Sequence, residues 1–374
     1  ENAYKRIPSL GVPVIPGSHP LIVENLVIFR TLEGISAYHL PTGQKAWESR
    51  SDVSLVGVFQ NQANNDPETI SYLATYRDHA PNILVENTLL GTLSADSELV
   101  YSVEDTAVPP NVQVHGVPWR GGWNRNPQMG NRQGDFASCN HLIAYELEGG
   151  RIAWSIGTRQ PDQPFTDMFF LGPPLPLGGK LYVLAEVNAE IKLLCLQNIK
   201  TPKPNLPEEF DYAVELVWAQ PLGVVDRKLV EDPVRRTQAA MLSYSDGILV
   251  CPTNAGTVLG VDLLTRTLVW AFNFQNEPVN TDSNSADRVP QFRILNRQQR
   301  GVESITRGAQ WSYSAPVIAN GTVLLALPDG NALHAIHLRD GNVNWSNPRV
   351  DLSKDALPPD YYLAGTFEDV ALLV

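Results

Sequence analysis

The chain has 374 residues, a net charge of −12 and a sequence pI of about 5.1. An acidic chain is a poor match for a phosphate backbone, which argues against a nucleic-acid binder. At 43% hydrophobic and 18% charged residues it reads as globular, and its 27 glycines and 29 prolines point to many turns between short strands. No apolar run is long enough for a transmembrane helix, and Glu1 to Arg6 lack the apolar core of a signal peptide.

Read in chain order, a 13-residue pattern recurs four times without a gap. It begins as Ile35-Ser-Ala37-Tyr-His-Leu40-Pro-Thr-Gly43-Gln-Lys-Ala-Trp47. It returns as Leu142-Ile-Ala144-Tyr-Glu-Leu147-Glu-Gly-Gly150-Arg-Ile-Ala-Trp154, then as Val258-Leu-Gly260-Val-Asp-Leu263-Leu-Thr-Arg266-Thr-Leu-Val-Trp270. The last copy is Leu333-His-Ala335-Ile-His-Leu338-Arg-Asp-Gly341-Asn-Val-Asn-Trp345. A fifth copy is split: Glu190 to Leu196 matches its first half and Leu216-Val217-Trp218 its end, so Asn198 to Glu215 is predicted as a lengthened hairpin loop. Each copy predicts a strand, a tight turn and a second strand ending in Trp. Gly43, Gly150 and Gly341 suit a turn position with positive φ. At Arg266 either the turn differs or it tolerates strain.

Upstream of each copy lies a second hairpin, centred on Glu24-Asn25, Asp96-Ser97, Gly178-Gly179, Asp246-Gly247 and Asn320-Gly321. Two hairpins per repeat make a four-stranded antiparallel blade, and strands apolar on both faces fit a sheet sandwiched between neighbours. The predicted fold is therefore all-β: a single, partial β-propeller domain over 1–374. Its blades fall near 19–50, 87–158, 170–222, 237–274 and 311–349, with the start of a sixth at 361–374. Because a propeller removes its sheet edges by closing a ring, the remainder of the ring is expected in chain not included here. The terminal Trp47, Trp154, Trp218, Trp270 and Trp345 are predicted in the seams between blades.

Three insertions interrupt the blades: Ser51 to Glu86, with a short helix predicted near Pro67 to Tyr76, Glu104 to Asn140, and Asn276 to Gln310. The second contains Trp119, Arg120, Trp123 and Arg125, residue types favoured as interface or sugar-site anchors; a loop folded over the propeller face is the competing reading. The third contains Arg288, Arg293, Arg297, Arg300 and Arg307, either a solvated loop or an anion-binding one. Its run Asn280 to Asp287 alternates oxygen ligands but lacks the Gly and final Glu of an EF-hand, so no metal site is assigned. Cys139, Cys195 and Cys251 form no CxxC pair and read as buried structural thiols. His334 and His337 flank strand positions and read as satisfied surface or seam residues. No hydrolase elbow, HExxH or phosphate loop occurs, so no catalytic residue is assigned.

The small-x-x-x-Leu-x-x-Gly-x-x-x-Trp pattern resembles the PQQ repeat of the quinoprotein alcohol dehydrogenase-like superfamily, and the resemblance runs from about Pro20 to the end. It implies fold more than function, because that superfamily has two branches. PQQ-dependent dehydrogenases of the family carry a vicinal Cys-Cys disulfide, a calcium site from Glu, Asn and Asp, and an Asp base. This sequence has no adjacent cysteines. In character it resembles the non-enzymatic branch, such as the propeller lipoprotein of the outer-membrane β-barrel assembly machine and planctomycete-type repeat proteins without known activity. The resemblance implies a binding or assembly scaffold of the bacterial periplasm or cell envelope, docking a protein partner or small ligand on a propeller face and needing no cofactor. A dehydrogenase using PQQ with calcium, or another envelope enzyme, is the alternative.

Overall fold

The computed structural model describes residues 19–51, 54, 56, 87–105, 139–157, 164–204, 206–226, 228–229, 232–274, 314–327, 330, 332–348, 362–367 and 370–373. The chain divides into two compact units, Glu1–Ala239 and Ala240–Val374.

The first unit holds three antiparallel sheets, each a meander in which sequence neighbours pair. Blade 1 is β1 (Leu21–Val23), β2 (Leu26–Arg30), β3 (Gly34–His39) and β4 (Lys45–Arg50). A single helical turn, α1 (Thr88–Gly91), leads into blade 2: β5 (Leu93–Ala95), β6 (Leu99–Glu104), β7 (His141–Glu146) and β8 (Ile152–Ile156). In blade 3 the innermost strand is in two pieces, β9 (Phe169–Phe170) and β10 (Leu175–Leu177), both paired with β11 (Lys180–Val187). It continues with β12 (Glu190–Lys203) and β13 (Leu206–Val224) and is followed by α2 (Pro233–Thr237). The second unit repeats the plan in β14 (Ser243–Ser245), β15 (Ile248–Pro252), β16 (Thr257–Asp262) and β17 (Thr267–Asn273). The next blade is β18 (Val317–Ala319), β19 (Thr322–Ala326), β20 (Ala332–His337) and β21 (Val343–Pro348), and a hairpin of β22 (Leu363–Phe367) and β23 (Val370–Leu373) follows. These sheets are β-propeller blades. Within each unit first strands of successive blades are neighbours, and equivalent serines tie them together. Ser94 Oγ donates to Pro174 O at 2.6 Å, and Ser243 Oγ to Pro316 O at 2.6 Å.

The structure gives each position of the repeat a physical task. The small residue sits directly across the ladder from the Trp: Ala37 opposite Trp47, Ala144 opposite Trp154, Gly260 opposite Trp270, Ala335 opposite Trp345. A Cβ on Gly260 would stand 2.5 Å from Trp270 Cδ2, so side-chain volume there collides with the indole. A register shift follows the small residue in each copy, and such a bulge twists the strand locally. The conserved-spacing Leu closes the blade: the N–H of Leu40, Leu147, Leu263 and Leu338 donates to Asn25, Glu98, Gly247 and Gly321 O, joining the two turns of its own blade.

The turns divide by chemistry. Gly178-Gly179, Asp246-Gly247 and Asn320-Gly321 have positive φ at both positions, the signature of type I′ hairpins matched to strand twist. The blade 2 turn lies one residue later than predicted. Its central residues are Ser97 and Glu98, because Asp96 Oδ1 accepts from the Glu98 and Leu99 N–H groups and caps the turn from outside. Arg266 settles the other open point: its φ of 59° matches the 65° of Gly43 and Gly150, so the turn is the same one with a Cβ forced into it.

The predicted loop Asn198 to Glu215 is corrected by the structure. It is a paired ribbon, in register from Leu196↔Leu216 to Pro202↔Phe210. Cys195 faces Trp218 and takes the small-residue position. Where other copies turn, β12 runs on, because Asn198 and Lys200 find partners on blade 2: Asn198 Nδ2 meets Tyr101 Oη at 2.6 Å, and Lys200 meets Glu98 at 2.7 Å.

Candidate functional site

Trp seams hold neighbouring blades together and leave one end of each sheet to carry the insertions. Trp47 is buried; its Nε1–H donates to Leu147 O of blade 2 at 2.8 Å, and its ring lies against Gly150. Trp270 repeats this with Leu338 O at 2.7 Å and Gly341. Trp154 Nε1 instead donates to Asn198 Oδ1 at 3.0 Å, the side chain at the matching position of the lengthened copy. Trp218 is half-buried beside Tyr182, ring centroids 6.0 Å apart. Trp345 remains 39% exposed. Of Gly43, Gly150 and Gly341, the glycines at the shared repeat position, Gly43 is the one with open space around it.

In an antiparallel meander, the connection from second to third strand and the exit from the fourth leave from the same end of the sheet. In the first unit this end therefore carries the insertions after β4 and after β6. At that end lies a buried charged layer. Arg30, at the end of β2, pairs with Glu104, at the end of β6, both side chains 7% exposed. Its guanidinium also donates to Ser102 Oγ at 2.7 Å, Val103 O at 3.1 Å and Leu90 O at 2.9 Å. Glu104 accepts from Ser51 Oγ at 2.9 Å, and burial next to this carboxylate pushes the Tyr145 hydroxyl above its ordinary range. The next residue, Asp105, takes both arms of Arg236 from α2, at 2.6 and 2.7 Å, with each side chain 2% exposed. That guanidinium lies 4.9 Å over the Phe169 ring. Arg235 pairs with Glu186, the end of β11, at 2.7 Å, and Glu186 also accepts from Leu229 N–H at 3.0 Å. Asn140 fixes the far side of the second insertion, exchanging hydrogen bonds of 2.9 and 2.7 Å with Phe170 O and N–H.

These ion pairs bridge blade 1 to blade 2, and blades 2 and 3 to α2. A buried charge is tolerated only when paired and hydrogen-bonded, and each of these is. The sequence reading missed them all. A charged residue directly after a five- or six-residue apolar strand was their one local trace, at Arg30, Glu104-Asp105 and Glu186.

Trp119, Arg120, Trp123 and Arg125 lie outside the described residues, as do the helix near Pro67 to Tyr76, the Arg288 to Arg307 set and the Asn280 to Asp287 run. Cys139, Cys195 and Cys251 are buried and form no disulfide with one another, and desolvation pushes the Cys251 thiol far above its ordinary range. Among the described residues, no group of three or more His, Cys, Asp or Glu is placed to hold a metal ion, and no helix is long and apolar enough to cross a membrane. His334 lies in the seam between two blades, edge-on to Phe272 at 5.2 Å, while His337 is exposed. Burial lowers the His334 pKa to about 4, and, contrary to the expectation of a satisfied side chain, its Nε2 has no hydrogen-bond partner among the described residues.

Repeated four-stranded blades, with Trp seams at a fixed repeat position, define these sheets as β-propeller blades. No family model matches the chain, and no curated protein does. Among solved structures it is similar to BamB from Moraxella catarrhalis, at 12% identity and a TM-score of 0.40, over 89% of this chain and 62% of that one. It is also similar to the quinohemoprotein alcohol dehydrogenase from Comamonas testosteroni, at 11% identity and a TM-score of 0.41, over 90% of this chain and 43% of that one. The match thus spans less than two thirds of either protein's length. One similar structure is an enzyme by its name and the other is not named as one, so the likeness decides no function.

Proposed function

We propose that this chain is a non-catalytic binding or assembly scaffold of the bacterial cell envelope, docking a protein partner or small ligand at the blade end that carries the insertions. The observation behind this reading is the charged layer at that end. Arg30, Glu104, Asp105, Glu186, Arg235 and Arg236 are buried and paired with one another. A general base or a cation ligand needs a free lone pair facing substrate, whereas these carboxylates accept from guanidinium groups. Such a layer is a rigid floor on which long segments can be presented. Trp119, Arg120, Trp123 and Arg125, in one of those segments, supply the aromatic and cationic anchors of a docking surface. The envelope setting rests on the resemblance of the repeats.

The test is a calorimetric titration with PQQ in the presence of calcium, run beside partner capture with the Arg120→Glu/Arg125→Glu variant. The scaffold reading expects no PQQ heat, and a captured partner that the charge reversal releases. Tight calcium-dependent PQQ binding would replace it with a quinoprotein-type enzyme. A partner retained by the variant would remove the insertion from the docking surface.

A further inference from the structure

The outer strand of blade 3 is unlike the others. β4, β8, β17 and β21 have 6, 5, 7 and 6 residues, whereas β13 has 19. It is the last strand of its sheet, and among the described residues nothing pairs with its outer edge. From Phe210 to Leu216 its register against β12 is unbroken by a bulge, and no proline occurs between Pro207 and Pro221. Sheet edges are ordinarily blunted by shortness, bulges, proline or charged side chains; this stretch has no bulge, proline or lysine, and its exposed charges, Asp211 and Glu215, are both acidic.

Its two faces differ. Phe210, Tyr212, Val214, Leu216 and Trp218 are half-buried, and β13 packs against β8 of blade 2. Asp211, Ala213, Glu215, Val217 and Ala219 are exposed, with the Asp211 side chain 71% accessible. Residues 206 to 224 include Glu208, Glu209, Asp211 and Glu215 and no Lys or Arg. The lysines of the ribbon lie on the inner strand and are engaged, Lys200 with Glu98 at 2.7 Å and Lys203 with Glu209 at 2.8 Å and, at the limit of an ion pair, with Asp211 at 4.0 Å.

We infer that the outer edge of β13 takes up an extended, basic segment of a partner protein as an added strand. Main-chain hydrogen bonds to an open edge supply affinity, and alternate side chains supply specificity. Here Lys or Arg at alternate positions of the incoming strand faces Asp211 and Glu215, the favourable opposite-charge arrangement across a ladder. This surface is separate from the insertion-bearing end and stands whether or not that end docks a partner.

The experiment uses the full chain and a short peptide alternating Lys with Val, at low ionic strength. Its controls are a Glu-for-Lys peptide and a Lys peptide methylated on alternate backbone nitrogens. Binding is read by fluorescence anisotropy and located by hydrogen exchange. The inference expects the Lys peptide to bind and to slow exchange in residues 209–219. Affinity should fall at least roughly tenfold for the methylated peptide, and similarly for the Asp211→Lys/Glu215→Lys variant. Both substituted side chains are exposed, and unchanged circular dichroism checks the variant's fold. Equal binding of the methylated peptide would reduce the contact to charge alone and overturn strand addition. So would protection elsewhere, or no binding. Concentration-dependent self-association that protects 209–219 without peptide would make a second copy the occupant and also overturn it.

Discussion

Replacing Gly150 by Ala tests whether the Trp seam holds blades 1 and 2 together. Gly150 has a φ of 65°, and an added Cβ would stand 2.6 Å from Cδ2 of Trp47. That indole is not free to swing away, since it is buried and donates to Leu147 O at 2.8 Å. Gly43 is the matched control: its φ is also 65°, but a Cβ there meets nothing within 4 Å. Gly43→Ala should therefore cost only the left-handed backbone term, about 1 kcal/mol. Gly150→Ala adds about 1–3 kcal/mol of overpacking and about 1 kcal/mol for the strained indole hydrogen bond, or about 3–5 kcal/mol in all. Gly341→Ala, 2.9 Å from the Trp270 ring, should fall between them. Urea unfolding of the three variants measures the order. A Gly150→Ala cost equal to that of Gly43→Ala would refute the seam as a tight contact.

Three further outcomes follow from the geometry. Arg236→Met should destabilise the first unit by about 3–5 kcal/mol, because Asp105 is left buried and charged, and Asp105→Leu in the same chain should recover part of the loss in urea midpoints. His334 is buried neutral with its pKa lowered to about 4, so the unfolded chain binds the extra proton first as pH falls. Its contribution is intact above its ordinary pKa of about 6.5 and lost as pH falls toward 4, by up to about 3 kcal/mol, and His334→Leu should flatten the urea midpoint across that window. Arg266→Gly relieves a Cβ at a φ of 59° and should raise the unfolding free energy by about 0.5–1 kcal/mol, measured by the same titration.

The sequence was sufficient for the blade. Each 13-residue copy holds its own strand, turn and strand, and the turn residues act within a few bonds of their own backbone. Asp246-Gly247 and Asn320-Gly321 need no distant partner to select their hairpins. Local chemistry was also where the reading slipped, at Asp96, whose side chain moved the turn by one residue.

Pairings between distant segments were not legible. Pro202, Pro204, Pro207 and two lysines made Asn198 to Glu215 look like a loop, yet the strand persists because Tyr101 and Glu98, a blade away, hold Asn198 and Lys200. Arg30 meets Glu104, and Asp105 meets Arg236, across spans with no periodic signal. Sequence alone determined the repeat and its all-β blades, because strand alternation and turn strain are short-range. Tertiary structure decided where Trp47, Trp154 and Trp270 find their acceptors, which charges are buried together and which edge stays open among the described residues, because burial depends on what the rest of the chain brings alongside.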